Sequence, residues 1–132
     1  MAEEVRFLAE HDDPLFRVAL RSDGILNFFA SKGMILTFAV SQELLRAALT
    51  VTDRPRPTLV LMKDIARVDR EARAFFASDD YLQIASQSAL VVGSPVSRII
   101  GNFFLGLNRP KYPVRIFTDP DLAVAWLKEY LP

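Results

Sequence analysis

The 132-residue chain contains no cysteine and a single histidine, and both facts limit the kinds of catalytic and metal site that it can form. Without cysteine it has no disulfide, no thiolate nucleophile and no thiolate metal ligand. The histidine lies in His11-Asp12-Asp13-Pro14, where the Asp-Pro pair is typical of a turn. A Ser-His-Asp triad would have to use this histidine, and no nucleophile-elbow motif accompanies it. We therefore expect no catalytic residues and no metal site.

An excess of charge of one sign is also missing, because 16 basic residues balance 16 acidic ones and the net charge is zero. Neutrality argues against a nucleic-acid partner, since nucleic-acid-binding proteins normally carry a basic excess or stripe. No apolar run approaches the ~20 residues that span a bilayer. The N-terminus is acidic and lacks an apolar signal core. We expect a cytoplasmic protein without a transmembrane segment.

Hydrophobic residues make up 51% of the chain, enough for the core of one domain over residues 1–132. Apolar and polar residues alternate along Phe16–Arg21, and a Ser22-Asp23-Gly24 turn and the run Ile25–Ala30 follow. This pattern predicts an antiparallel hairpin, preceded by a short strand at Val5–Leu8. Met34-Ile35-Leu36 is interpreted as an extension of the returning strand.

Helices and buried strands alternate through the rest of the chain. A helix with apolar residues at helical spacing is predicted to run to Val51, and Thr58–Met62 reads as a parallel strand covered on both faces. The predicted helix starts share a short polar side chain that accepts hydrogen bonds from the first turn. These residues are Thr37, Asp69, Asp79 or Asp80, and Asp119.

The segment between residues 89 and 117 carries the clearest signal of the fold. It contains an apolar run (Ala89–Val92), a Gly93-Ser94-Pro95 turn, an apolar helix (Val96–Leu107) and a second apolar run (Val114–Phe117). A strand–helix–strand crossover of this kind builds a parallel sheet. We predict an α/β fold: a mixed sheet with an N-terminal antiparallel hairpin, βα crossover units and about four to five helices.

This order of elements resembles the STAS domain, the fold of bacterial anti-sigma-factor antagonists, and small bacterial STAS-like proteins of unassigned role. The best local parallel is Leu59–Asp69, interpreted as a strand, a short loop and an aspartate before a helix. In STAS antagonists a phosphorylatable Ser or Thr follows that aspartate, whereas here Arg70 follows Asp69. The resemblance implies the fold and a regulatory role, but no phosphoacceptor at this position.

Two helix starts, Asp69-Arg70 and Ser94-Pro95, are expected to meet at the carboxyl edge of the sheet, where open sheets bind ligands. Free backbone N–H groups at helix starts favour anions. The same residue types also serve as ordinary helix caps, so the alternative is a pair of capped helices without a ligand. The candidate residues for binding a ligand or partner are Arg67, Asp69, Arg70, Ser94, Ser97 and Arg98.

We expect a non-enzymatic regulatory or protein-interaction module without a cofactor. Its partner is another protein or a second copy of the chain, since the apolar helix Val96–Leu107 offers Phe104 or Leu105 for a homodimer contact. The alternative is a small-molecule binder. Such a protein would take an anion at the helix starts, or a lipid or other apolar ligand beneath Val96–Leu107.

Overall fold

The computed structural model describes residues 5–93 and 111–131. In chain order the strands are β1 (Phe7–Asp12), β2 (Phe16–Arg21), β3 (Leu26–Ala30), β4 (Met34–Leu36), β5 (Arg56–Leu61), β6 (Ile65–Val68), β7 (Ala85–Val91) and β8 (Val114–Phe117). The helices are α1 (Phe38–Val51), α2 (Arg70–Phe76), a short 3-10 helix (Asp79–Gln83) and α3 (Pro120–Lys128). Within this part of the chain, no helix is long and apolar enough to cross a membrane.

The first three strands form an antiparallel meander in which β2 pairs with both β1 and β3. Gly24 turns the chain from β2 to β3 with φ at +92°, a backbone conformation that side chains with a Cβ rarely adopt. The predicted hairpin is therefore confirmed. The strand predicted at Val5–Leu8 begins at Phe7 and continues to Asp12, and Arg17 of β2 forms an ion pair with Glu10 of β1 at 2.7 Å.

The turn predicted around His11 begins later than expected. His11 and Asp12 belong to β1, and the chain turns at Asp13. The Asp13 backbone exchanges two hydrogen bonds with Phe16, and its carboxylate accepts the Leu15 N–H at 3.0 Å. Aspartate is well suited to this turn, because its side chain accepts a backbone N–H two residues further on.

The main sheet has six strands in the order β1-β2-β3-β5-β7-β8. From β3 onward each strand runs parallel to its neighbour. The mixed sheet expected from the sequence is confirmed, including the parallel pairing of β7 with β8 that the crossover pattern predicted. The predicted connecting helix, Val96–Leu107, lies outside the described residues.

Each face of the main sheet packs against different helices. On the first face, Leu26 and Leu90 lie in one core with residues of α1 and α2. On the second face, Leu59 and Ala89 lie in a smaller core with residues of α3. Alternate residues of a strand point to opposite faces, so both cores are built from the same strands.

A second sheet of only two strands, β4 and β6, lies outside the main sheet. The interpretation of Met34–Leu36 as an extension of β3 was wrong: Gly33, with φ at +77°, turns the chain, and β4 pairs with β6 in parallel. The residues directly before Asp69, which were expected to form a short loop, form β6 instead. The Gly33 N–H donates to the Asp64 carbonyl at 2.8 Å, which fastens the start of β4 to the turn before β6.

The expected four to five helices are not confirmed. The described residues form three α-helices, and the helix predicted at Asp79 or Asp80 is a 3-10 helix of five residues. The connection between α2 and β7 spans only residues 77–84, and short connectors commonly adopt the tighter 3-10 geometry. The predicted caps Thr37 and Asp119 are confirmed, because each side chain accepts a backbone N–H from its own first turn.

The cap of α1 gives a direct test of these local interactions. Thr37 Oγ1 accepts the Val40 N–H at 3.2 Å, so Thr37→Ala should lower the free energy of unfolding by about 1 kcal/mol. Urea unfolding followed by far-ultraviolet circular dichroism measures the loss. Thr37→Ser keeps the accepting hydroxyl and should stay close to the parent protein. Equal losses in the two variants would show that the hydroxyl does not cap α1.

Candidate functional site

The β4–β6 pair brings the starts of α1 and α2 side by side. β4 leads directly into α1, and β6 leads into α2. The Asp69 N–H donates to the Leu36 carbonyl at 2.9 Å, which joins the two starts through the backbone. The rings of Phe38 and Phe75 meet edge-on with centroids 5.7 Å apart, which joins the two helices through their side chains. The two helix starts therefore form one continuous surface.

This surface combines exposed apolar side chains with positive charge. We define the helix-start surface as Ile35, Phe38, Arg67, Asp69 and Arg70. Ile35 and Phe38 are each 44% exposed, a large fraction for side chains of this size. Ile35 lies opposite Arg67 in the β4–β6 register, and Arg70 begins α2. The inward-pointing neighbours of these strand residues are buried in the main core.

Asp69 occupies the N-cap position of α2 but does not cap the helix with its side chain. Its carboxylate instead accepts the Arg67 Nε–H at 3.0 Å. Arg67 is 66% exposed, and an exposed pair of this kind contributes at most about 1 kcal/mol. The pair therefore fixes the direction of the Arg67 guanidinium more than it stabilises the fold. The sequence located this cap correctly, but its predicted hydrogen bond is replaced by an ion pair.

Arg70 supplies the charge that is not neutralised locally. It is exposed at the first position of α2, and it makes no salt bridge with any residue of the described chain. Arg67, by contrast, shares its charge with Asp69. The helix-start surface thus presents one paired and one unpaired guanidinium beside two apolar side chains.

The structure brings together three of the six candidate residues, Arg67, Asp69 and Arg70. The other three, Ser94, Ser97 and Arg98, lie outside the described residues. The expected position at the carboxyl edge of the main sheet needs correction. β6 lies between that edge and α2, so the Asp69-Arg70 start lies one short strand beyond the edge. Ile35 and Phe38 were not among the predicted site residues, because their apolar character resembles that of core residues.

The carboxyl edge itself carries a different cleft, of about 240 Å³, beside the start of α3. Lys63, Asp64 and Thr118 are its polar lining residues. Gly93 lines it as well, and a Cβ at Gly93 would lie only 2.9 Å from the Lys63 Cβ, so this close approach requires glycine. These residues directly follow the predicted strands, which is the signal that could have identified them. The carboxylate of Asp119 caps α3 here, so the helix start already has its anionic partner.

Aromatic side chains cluster on the first face of the sheet. Tyr81, from the 3-10 helix, contacts three other rings: Phe76 edge-on at 4.8 Å between centroids, Tyr112 at 5.9 Å and Phe28 at 6.3 Å. The Tyr112 hydroxyl donates to the Phe76 carbonyl at 3.0 Å. Burial raises the pKa of both phenols well above the ordinary tyrosine value, and for Tyr112 the Ser88 hydroxyl partly opposes the shift.

The strand order and the packing of helices on both faces of the main sheet define an α/β protein with a mixed sheet. Within that class, the chain belongs to the DUF7793 family, a domain of unknown function, whose family model matches residues 19–131. The match covers the main sheet from the second half of β2 onward and the whole helix-start surface. No curated protein matches the chain.

The solved structures that are similar to the chain include the following two. One is an uncharacterized DUF3478-family protein with a SpoIIAA-like fold from Shewanella loihica PV-4, 14% identical, covering 96% of this chain and 98% of that one, with a TM-score of 0.46. The other is a protein of unknown function from Arthrobacter sp. FB24, 38% identical, covering 83% of this chain and 90% of that one, with a TM-score of 0.31. The first of these proteins is described as having a SpoIIAA-like fold, which is the kind of fold that the sequence resemblance implied.

The buried tyrosines make folding stability sensitive to alkaline pH. Phenols of the unfolded chain ionise near pH 10, whereas Tyr81 and Tyr112 have raised pKa values in the folded state and stay protonated there. The contribution of these two tyrosines to the free energy of unfolding is therefore fully present below pH 10, and it is lost as the pH rises further. Absorbance at 295 nm should show these two phenols ionising together with the loss of circular dichroism. Tyr112→Phe should remove about half of that coincident absorbance step, and ionisation of both phenols in a fully folded protein would contradict the prediction.

Proposed function

We propose that this protein is a non-enzymatic regulatory module that binds a protein partner through the helix-start surface. One observation carries the proposal: the exposed apolar side chains of Ile35 and Phe38 lie on the paired strand and helix starts that also carry Arg67 and Arg70. Apolar patches rimmed by polar residues are typical of protein–protein interfaces. Arginine and aromatic residues are also the types most often enriched in such interfaces.

The partner is inferred to present an apolar side chain flanked by acidic residues. Ile35 and Phe38 provide the apolar contact area, and Arg70 provides a guanidinium that makes no salt bridge within the described residues. The Phe38 ring already rests against Phe75, so little side-chain freedom is lost when a partner covers it. Because exposed charges are screened over about 10 Å at 0.1 M salt, the association should weaken as salt is added.

Arg70 also separates this module from a phosphorylation switch. The STAS resemblance aligns Arg70 with the phosphorylatable Ser or Thr of antagonists. Arginine carries a permanent positive charge, whereas phosphorylation adds a negative one. The helix-start surface therefore has a permanent positive charge at this position. We propose that binding is controlled by whether the partner is available and not by phosphorylation of this residue.

A protein partner is favoured over a free anion at the same place. The α2 start carries two carboxylates of its own, those of Asp69 and Glu71, which oppose an anion. Arg67 already holds one of them. A partner that adds apolar contacts gains binding energy from Ile35 and Phe38, which a small inorganic anion does not touch.

Site-specific photocrosslinking tests the position of the partner. A photoreactive amino acid in place of Phe38 should trap a discrete protein in cell extract, because Phe38 lies within the helix-start surface. The same amino acid in place of Leu122, which is 61% exposed on α3 at the opposite face of the sheet, is the matched control. The trapped protein should be absent from the control. Identical products at both positions, or none at position 38, would count against the proposal.

The partner, once purified, allows the charge to be tested separately. Arg70→Glu should weaken its binding about tenfold or more, because a favourable charge contact becomes a repulsive one. Lys128→Glu makes the same change on α3 and should leave binding unchanged. Both variants should fold, since both residues are exposed. Equal binding by the two variants would show that the helix-start surface does not meet the partner's acidic residues.

A further inference from the structure

The outer edge of β4 carries backbone hydrogen-bonding groups that point away from β6. The Leu36 carbonyl accepts the Asp69 N–H, so Leu36 directs its backbone groups towards β6. Successive residues of a strand direct these groups to opposite sides, so the Ile35 N–H and carbonyl point away from β6. Neither group has a hydrogen-bond partner among the described residues. β4 therefore ends its sheet with an open edge.

Thr37 extends this edge by one more donor. Its backbone is extended, with φ at −94° and ψ at 169°, so its N–H points the same way as that of Ile35. The Thr37 carbonyl and hydroxyl are used within α1, where they accept the N–H groups of Ser41 and Val40. The described chain offers no partner to the Thr37 N–H. We define the β4 edge as the Ile35 N–H, the Ile35 carbonyl and the Thr37 N–H.

The two outer edges of the β4–β6 sheet differ in the room that they leave for another strand. On the outer side of β6, the Val68 carbonyl already accepts the Arg73 Nη1–H at 3.2 Å. Beside β4 the space is open. Ile35 is 44% exposed, and apart from the neighbours of Gly33 in the chain no described atom lies within 4 Å of where a Gly33 Cβ would be. An added strand therefore fits at β4 better than at β6.

Positive charge lies near both ends of the β4 edge. Lys32 is exposed two residues before β4, and Arg70 is exposed at the start of α2, next to the end of β4. Neither side chain makes a salt bridge with another described residue. An extended segment with an apolar residue beside Ile35 and acidic residues towards Lys32 and Arg70 therefore complements this edge.

We infer that the partner binds by adding an extended strand to the β4 edge, with acidic residues on either side of an apolar one. This inference rests on the proposed function, because Ile35 belongs to the helix-start surface, and it adds the backbone of β4 to the binding site. In strand addition, main-chain hydrogen bonds contribute affinity and alternate side chains contribute specificity. Parallel strands are normally buried on both faces, and an added strand would cover part of the face that Ile35 leaves exposed.

A synthetic peptide tests strand addition without the natural partner. The probe is a capped peptide of three valines between two glutamates. In nuclear magnetic resonance titrations it should shift the Ile35 and Thr37 amide resonances and slow the hydrogen exchange of both amides severalfold. The same peptide with N-methylated valines cannot donate to the Ile35 carbonyl and should do neither. A peptide with lysines in place of the glutamates should bind more weakly, because Lys32 and Arg70 repel it.

Two variants at one position separate the backbone of Ile35 from its side chain. Proline and valine have side chains of similar size, but only Ile35→Pro removes the outward N–H. Ile35→Val should bind the probe almost as the parent protein does, and Ile35→Pro should bind it about fivefold more weakly. Proline is tolerated on edge strands where the N–H faces solvent, so slow exchange of the Asp69 amide should show that β4 still pairs with β6. If Ile35→Pro does not fold, the titrations of the parent protein decide.

Three results would each overturn strand addition. The probe could leave the exchange of the Ile35 amide unchanged, the N-methylated peptide could bind as well as the probe, or a folded Ile35→Pro could bind as well as Ile35→Val. Crosslinking from Phe38 judges the proposed function separately. A protein trapped at Phe38 together with any of these three results would keep the helix-start surface as a binding site and remove strand addition alone.

Discussion

The parallel pairing of β3 with β5 is the constraint on which the rest of the structure depends. In this register Leu26 lies opposite Thr58 and Phe28 opposite Val60. Because the two strands run in the same direction, the chain leaves both at the same edge of the sheet. The two exits can then pair as β4 and β6, and α1 and α2 begin next to each other. An antiparallel β5 would put the two helix starts at opposite edges and separate Phe38 from Arg70.

The sequence predicted those elements whose signal is local. The alternation along Phe16–Arg21 and the glycine turn predicted the hairpin, and the hydroxyl of Thr37 predicted the start of α1. β4 and β6 have three and four residues, too few for a periodic pattern, and they exist because two segments about thirty residues apart pair with each other. Leu122 is as apolar as the core residues of α3, yet it is 61% exposed because Ala123 and Leu127 occupy the contact with the sheet.

The candidate site was also predictable only where its signal is local in the sequence. Arg67, Asp69 and Arg70 were found because they are polar residues at a helix start that resembles a known regulatory position. Ile35 and Phe38 were missed, since sequence alone does not show which apolar residues of a short strand or first helical turn stay outside the core.

Hydrogen exchange of individual backbone amides tests the central claim, that β4–β6 pairing holds the two helix starts together in the free protein. The Asp69 and Gly33 amides donate to the Leu36 and Asp64 carbonyls, so nuclear magnetic resonance should find both exchanging slowly, as the amides of the β3–β5 ladder do. If both amides exchange as fast as an exposed loop while that ladder remains protected, the helix-start surface is not preformed and the account is wrong.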